Sequence, residues 1–226
     1  MQVRYRLYLS LLWAFSLGGL PAQTPGYEGR LNPISLEMSV SPALADWIFQ
    51  PEGQPQVNLR GSLYYERVLS RRTSIGGSLG YLQARQNFLF QNQTGDIRIQ
   101  SPAISLYAQT YRFLRRGNIA PLGPYQKWEV IYLPYRIDNP DNSFPDFGEA
   151  QRYHDFVVSF GLGTQRVFAK HFTYHLGLQT GWVLNVPANT TNRGSEALRY
   201  LNQITARRLR GFFALNVQLG LGLLLF

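Results

Sequence analysis

The amino-acid sequence predicts an all-β fold, a transmembrane up-and-down antiparallel β-barrel of eight strands. Three observations lead there. Apolar side chains recur with period two in one segment after another, and the connections between those segments alternate short and long. Behind the N-terminal leader, no segment offers the ~18 uninterrupted apolar residues of a helical span. A chain of 226 residues with 45% hydrophobic and 15% charged residues is sufficient for one core. The absence of Cys excludes thiol catalysis, Cys-ligated zinc and iron–sulfur clusters.

The first element is an address. Arg4 and Arg6 precede an apolar stretch from Leu7 to Leu20, and Leu20-Pro21-Ala22 supplies a small residue for cleavage. Residues 1–22 therefore read as a signal peptide, 23–30 as a short N-terminal periplasmic segment and 31–226 as the barrel.

The strands follow in order. Ile34, Leu36, Met38 and Val40 enclose Ser35, Glu37 and Ser39. Val57, Leu59, Leu63 and Tyr65 enclose Asn58, Arg60, Ser62, Tyr64 and Glu66. Ile75, Leu79 and Tyr81 alternate with Ser74, Gly76, Ser78 and Gly80. The segment from Ala103 to Phe113 mixes apolar and polar residues on both faces, so its facing stays open. Trp128, Val130 and Tyr132 alternate with Lys127, Glu129 and Ile131. Phe156, Val158, Phe160 and Leu162 stand against Ser159, Gly161, Gly163 and Gln165. Phe172 to Leu184 gives the longest alternation, and Leu215 to Leu223 the last, with Asn216, Gln218, Gly220 and Gly222 on its small or polar side.

Periodicity is shared with soluble sandwiches, so the connections decide. Ser70 to Arg72, Arg115 to Ala120 and Ala169 to His171 read as tight links. Ser41 to Pro55, Gln86 to Ser101, Pro134 to Tyr153 and Val186 to Arg210 read as long ones. Strict alternation places all turns at one rim and all loops at the other. Aromatic residues gather near the strand ends, with Tyr81, Tyr132, Tyr135, Tyr153 and Trp182 on the loop side and Tyr111, Phe113, Phe168 and Phe172 on the turn side, as interfacial girdles would.

Together, these residues carry a resemblance. From Leu31 to Phe226 the chain resembles the small eight-stranded outer-membrane β-barrel proteins of Gram-negative bacteria, the OmpA-, OmpX- and OmpW-like group. The resemblance implies an outer-membrane location, short periplasmic turns and long extracellular loops. It also implies that the segment from Leu215 to Phe226, with Phe226 as terminal aromatic, is the signal read by the barrel-insertion machinery. The OmpW-like members imply passage of small hydrophobic solutes as an alternative role.

The predicted interior holds Glu37, Arg60, Glu66, Lys127, Glu129 and His175, a mixed-sign set in a confined space. Isolated buried charge is costly, so the set reads as a self-satisfying network that holds the register rather than as an ion path, with Glu66 and Glu129 seeking Arg60 and Lys127. The net charge of +9 comes largely from Arg, without the compact stripe a nucleic-acid surface needs, and export makes that partner unsuitable. Arg193, Arg199, Arg207, Arg208 and Arg210 cluster on the last long loop, where guanidinium groups could meet lipopolysaccharide phosphates. The expected partners are thus outer-membrane lipid and lipopolysaccharide, with the insertion machinery during biogenesis, in a monomeric protein without cofactor or metal.

Other motifs carry less. Ser195 could cap a short helix through Leu198, Leu201 and Ile204 within that loop. Asp138, Asp141, Asp146 and Glu149 have oxygen ligands, but neither EF-hand spacing nor freedom from Pro140 and Pro145. Trp47, Ile48 and Phe49 form an apolar loop tip. Lipid A deacylases and acyltransferases need a Ser, a His and an acid within reach; His154 and Ser159 fall on opposite faces of one strand, so no catalytic residue is assigned. Gly161-Leu162-Gly163 and Gly220-Leu221-Gly222 lack a following helix and read as small lumen positions.

Overall fold

The computed structural model describes residues 32–41, 58–70, 72–90, 93–111, 122–138, 151–168, 171–184 and 196–225. The leader, the 23–30 segment, the Trp47-Ile48-Phe49 tip, the Arg115 to Ala120 link, Asp141, Asp146, Glu149, Arg193, Ser195 and Phe226 lie outside them.

Eight strands, β1 (Asn32–Ser41), β2 (Asn58–Val68), β3 (Thr73–Phe90), β4 (Gln93–Tyr111), β5 (Gly123–Asp138), β6 (Gln151–Phe168), β7 (Phe172–Leu184) and β8 (Asn216–Leu225), form a closed barrel. Every strand pairs antiparallel with its sequence neighbours, and β8 returns to β1 with Met38 opposite Leu219. Around the closed ring no row of N–H and C=O groups is left unpaired, which is the condition for a sheet to persist in hydrocarbon. This is the fold class the sequence predicts.

Alternation has its physical consequence on the outside. Leu36, Leu79, Leu106 and Leu221 are each at least 65% exposed, and outward Met38, Leu63, Trp128, Leu162, Leu178 and Trp182 extend the belt round the cylinder. No other part of the described chain covers it. β4, whose facing the sequence left open, turns Ala103, Ser105, Tyr107, Gln109 and Tyr111 inward and Ile104 and Leu106 outward. Tyr81, Trp182, Phe168 and Phe172 stand exposed near the belt edges as girdle residues should. Tyr111 and Tyr135 depart from that expectation: both are buried in the lumen, because they share the phase of Gln109 and Leu133.

Three of the long links prove to be partly structured, the Pro134 to Tyr153 link being shortened at both ends by β5 and β6. The Gln86 to Ser101 link is replaced by an extension of β3 and β4, paired as far as Phe90 opposite Gln93. From within the Val186 to Arg210 link a 19-residue helix, α1 (Glu196–Ala214), runs on past Arg210, considerably longer than the short helix expected there. β3 to β6 run 16 to 19 residues against 10 to 13 for the other four strands, so one wall of the barrel stands taller at the loop-side rim.

Inside, large side chains lie over small ones. Tyr107 sits opposite Gly76, Tyr125 opposite Gly163 and His175 opposite Gly220. A Cβ at any of these three glycines would meet the ring facing it, so the glycines are spaces that the rings occupy.

Candidate functional site

The lumen is stratified. Its middle is a charged layer built by register: β1 supplies Glu37, β2 Arg60 and Tyr64, β5 Lys127 and Glu129, and β7 His175 and Gln179, all buried. Lys127 Nζ donates to Glu37 Oε2 at 3.2 Å and lies 3.8 Å from Glu129 Oε2. Arg60 Nη2 lies 3.5 Å from Glu129 Oε2 and 3.9 Å from Glu37 Oε1. His175 Nε2 and Glu37 Oε2 are 2.9 Å apart.

Neutral donors complete the shell of Glu129. Ser105 Oγ donates to its Oε1 at 2.6 Å, Tyr64 OH to the same oxygen at 2.9 Å, and Gln179 Nε2 to its Oε2 at 2.6 Å. Tyr64 in turn accepts from Arg60 Nη2 at 3.0 Å, and Lys127 Nζ stands 4.2 Å from the centre of the Tyr64 ring. Two cations therefore bridge two carboxylates, with both carboxylates further hydrogen-bonded, the arrangement that offsets desolvation of buried charge.

Glu66 departs from the expected pairing. Neither Arg60 nor Lys127 forms an ion pair with it; Glu66 lies beside Ser74 and Tyr107, toward the turn-side rim, and its Oε1 has no hydrogen-bond partner. It borders the small cavity that remains on that side, which Glu37, Tyr107, Gln109, Gln165 and His175 also line. The cavity's volume, ≈ 10 Å³, is about that of one water site. Below it Leu224 joins Val68, Leu122 and Val167 in a small apolar floor.

Above the charged layer the lumen becomes largely apolar, with Asn58, Ser101, Asp155 and Arg208 buried among the apolar side chains. Leu82, Ile97, Ile99, Ile131, Leu133 and Ile137 point inward from the tall wall, each fully buried, and the last turns of α1 enter the space they bound. Leu209, Phe212 and Phe213 pack there, the two rings edge to face at 4.8 Å, so the helix stoppers the loop-side mouth. The sequence reading missed this set, although Ile131 already stood on the inward phase of its strand.

Of the arginines expected to cluster on the last link, Arg208 departs from an exposed position. Arg208 is buried, and its Nη2 donates to Asn58 Oδ1 at 3.1 Å inside the mouth. A guanidinium held there is turned away from any lipid phosphate, because the helix it belongs to packs into the barrel. Arg210 stays exposed beside the inward Asp155, and Arg199 and Arg207 belong to α1. On β6, exposed His154 bonds outward Tyr132 at 2.7 Å, whereas Asp155 and Ser159 are buried on the lumen side. These three side chains do not converge. Asp138 is held by Arg136 Nε at 2.6 Å.

No protein-family model matches the sequence, and no curated protein does. Among solved structures the chain is similar to the N-terminal β-barrel domain of Pseudomonas aeruginosa OprF, with a TM-score of 0.45 and 14% identity over 86% of this chain and 98% of that one. It is also similar to Ail, the attachment invasion locus protein of Yersinia pestis, in complex with the heparin analogue sucrose octasulfate. That match has a TM-score of 0.42 and 11% identity, and it covers 86% of this chain and 97% of the other.

Proposed function

We propose that the chain is a small, non-enzymatic integral protein of the outer membrane, exported through a cleaved signal peptide, with a structural or surface-interaction role at its loop-side rim. One observation carries this reading: a closed cylinder wears an uninterrupted apolar belt outside while its lumen is filled from floor to mouth. Such a molecule suits hydrocarbon around it and offers no open column of water within. Lipid and lipopolysaccharide are its partners in the membrane, the segment from Leu215 to Phe226 its signal to the insertion machinery, and the monomer its working form.

The direct test is migration in detergent gels before and after boiling, joined to conductance in planar bilayers. The folded chain should run as a compact species until heated and should show no steady channel current. A heat-independent band from folded, freely soluble monomer would end the membrane reading.

A second reading is favoured by the apolar mouth. Leu82, Ile97, Ile99, Ile131, Leu133 and Ile137 form a hydrophobic chamber whose present occupant is the chain's own helix. If α1 withdraws, a small hydrophobic solute could take its place and pass toward the bilayer. Uptake of such a solute into liposomes by the full chain, lost on tethering α1 to the wall, separates the two readings.

A further inference from the structure

The tall wall presents two different faces. Its lumen side is the apolar chamber; on its outer side, the belt ends at Tyr81, Tyr132 and Phe156. One step farther along the strands come Gln83, Gln100 and His154, and one step beyond that Arg85, Arg98, Arg136 and Arg152, on four adjacent strands. Their direction is fixed by neighbours: Ala84, Ile97, Ile99, Tyr135 and Ile137 are buried in the lumen, so the intervening arginines face out.

The register makes this layer unusual. Arg85 stands directly opposite Arg98, and Arg136 directly opposite Arg152. Like charges at directly opposed positions of an antiparallel pair destabilise the sheet, so two such pairs side by side call for a counter-anion. Asp138 stands directly opposite Arg98 on the neighbouring strand and is already held by Arg136, so one carboxylate is shared among the four guanidinium groups. Arg98 Nε is buried without a hydrogen-bond partner.

We infer that each opposed pair, Arg85 with Arg98 and Arg136 with Arg152, holds a phosphate of a lipid headgroup in the leaflet that meets the loop-side rim. Two guanidinium forks on strands ~4.8 Å apart can bracket one phosphate, each donating two parallel hydrogen bonds. The height fits. Four residues at ~3.3 Å along strands tilted by ~40° place the layer about 10 Å above the last aromatic ring, and the flexible stems reach back toward the headgroups. The source is thus a lipid and not free phosphate, because the pairs face outward on the same side of the sheet as the belt, at headgroup height above it. This assignment rests on the membrane reading.

The test uses the full chain folded in neutral detergent and titrated with diphosphorylated lipid A, with lipid A stripped of its phosphates, or with inorganic phosphate, bound lipid being read by native mass spectrometry. The phosphorylated lipid should bind at least about tenfold more tightly than the stripped one. The double variant R85Q/R136Q, which breaks both pairs, should abolish that difference, while R67Q on the turn-side rim should keep it. Undiminished preference in the double variant, no preference in the natural chain, or equal competition by inorganic phosphate would each overturn the inference. Heat-dependent gel migration, measured on the same samples, reports separately on the barrel: a variant that still shifts on boiling has lost a ligand and not the fold, and a natural chain that never shifts has failed the membrane reading instead.

Discussion

The middle of the lumen and its loop-side mouth are filled by opposite means. The middle is filled by charge: Arg60 and Lys127 bridge Glu37 and Glu129, and every strut of that layer comes from the barrel wall. The mouth is filled mainly by apolar side chains, part of them from a helix that packs against the wall and is pinned to it by hydrogen bonds at Asn58 and Tyr153. The difference teaches that the two fillings have different mechanical roles. A cross-braced ion layer ties β1, β2, β5 and β7 to one another across the cylinder, so losing it weakens closure. The stopper is held mainly by burial of its apolar face, so losing that burial releases the stopper and leaves the cylinder.

Breaking the charged layer is expected to have the largest effect. Glu129→Ala strips Arg60, Lys127, Ser105, Tyr64 and Gln179 of a shared acceptor, and leaving buried charge uncompensated costs about 3–5 kcal/mol. The urea midpoint for loss of the compact gel species should fall accordingly; an unchanged midpoint would mean that the layer braces nothing.

At the mouth, Phe212→Ala removes a ring that is 1% exposed, and a deletion of that size in a core costs about 3 kcal/mol or more. Here the cost should fall on α1 alone. Backbone amides of α1 should exchange faster with solvent while those of β1 and β8 keep their protection. Uniform loss of protection in both would erase the distinction between brace and stopper.

Two smaller changes sharpen the comparison. Gly220→Ala places a methyl group where the His175 ring lies and should push that ring off Glu37, at about 1–3 kcal/mol in the same urea assay. Ser78→Ala removes the hydroxyl 2.7 Å from Ser105 Oγ, one step removed from Glu129, and should cost about 1 kcal/mol. A larger loss from Ser78→Ala than from Gly220→Ala would place the weight of the layer on its neutral donors rather than on its ions.

Legibility in the sequence follows the same division. Glu37, Arg60, Lys127, Glu129 and His175 could be placed inward because each interrupts an apolar set of period two, and a polar residue between Leu36 and Met38 or between Trp128 and Val130 has one face left to it. Which cation meets which carboxylate could not be read so. Pairing depends on height in the barrel, and Glu66, nearer the turn-side rim than Arg60 on the same strand, ends beside Ser74 and Tyr107. The mouth was illegible for a different reason. Where Ile97, Ile99, Leu133 and Ile137 face an apolar chamber, the inward phase is as oily as a belt, the contrast between faces fades, and the extensions of β3 and β4 read as loop.

Alone, the sequence determined the strand count, the closed antiparallel order and the facing of seven strands, because side-chain alternation is a local property of extended backbone and one solvent must meet each face. Tertiary structure alone decided that α1 enters the mouth, that Arg208 is buried with it, that Glu66 stands apart from the ion layer, and that four arginines line up across the tall wall. Each of these depends on register and tilt between strands far apart in the chain, and distance around a cylinder is not written in the spacing of residues along one strand.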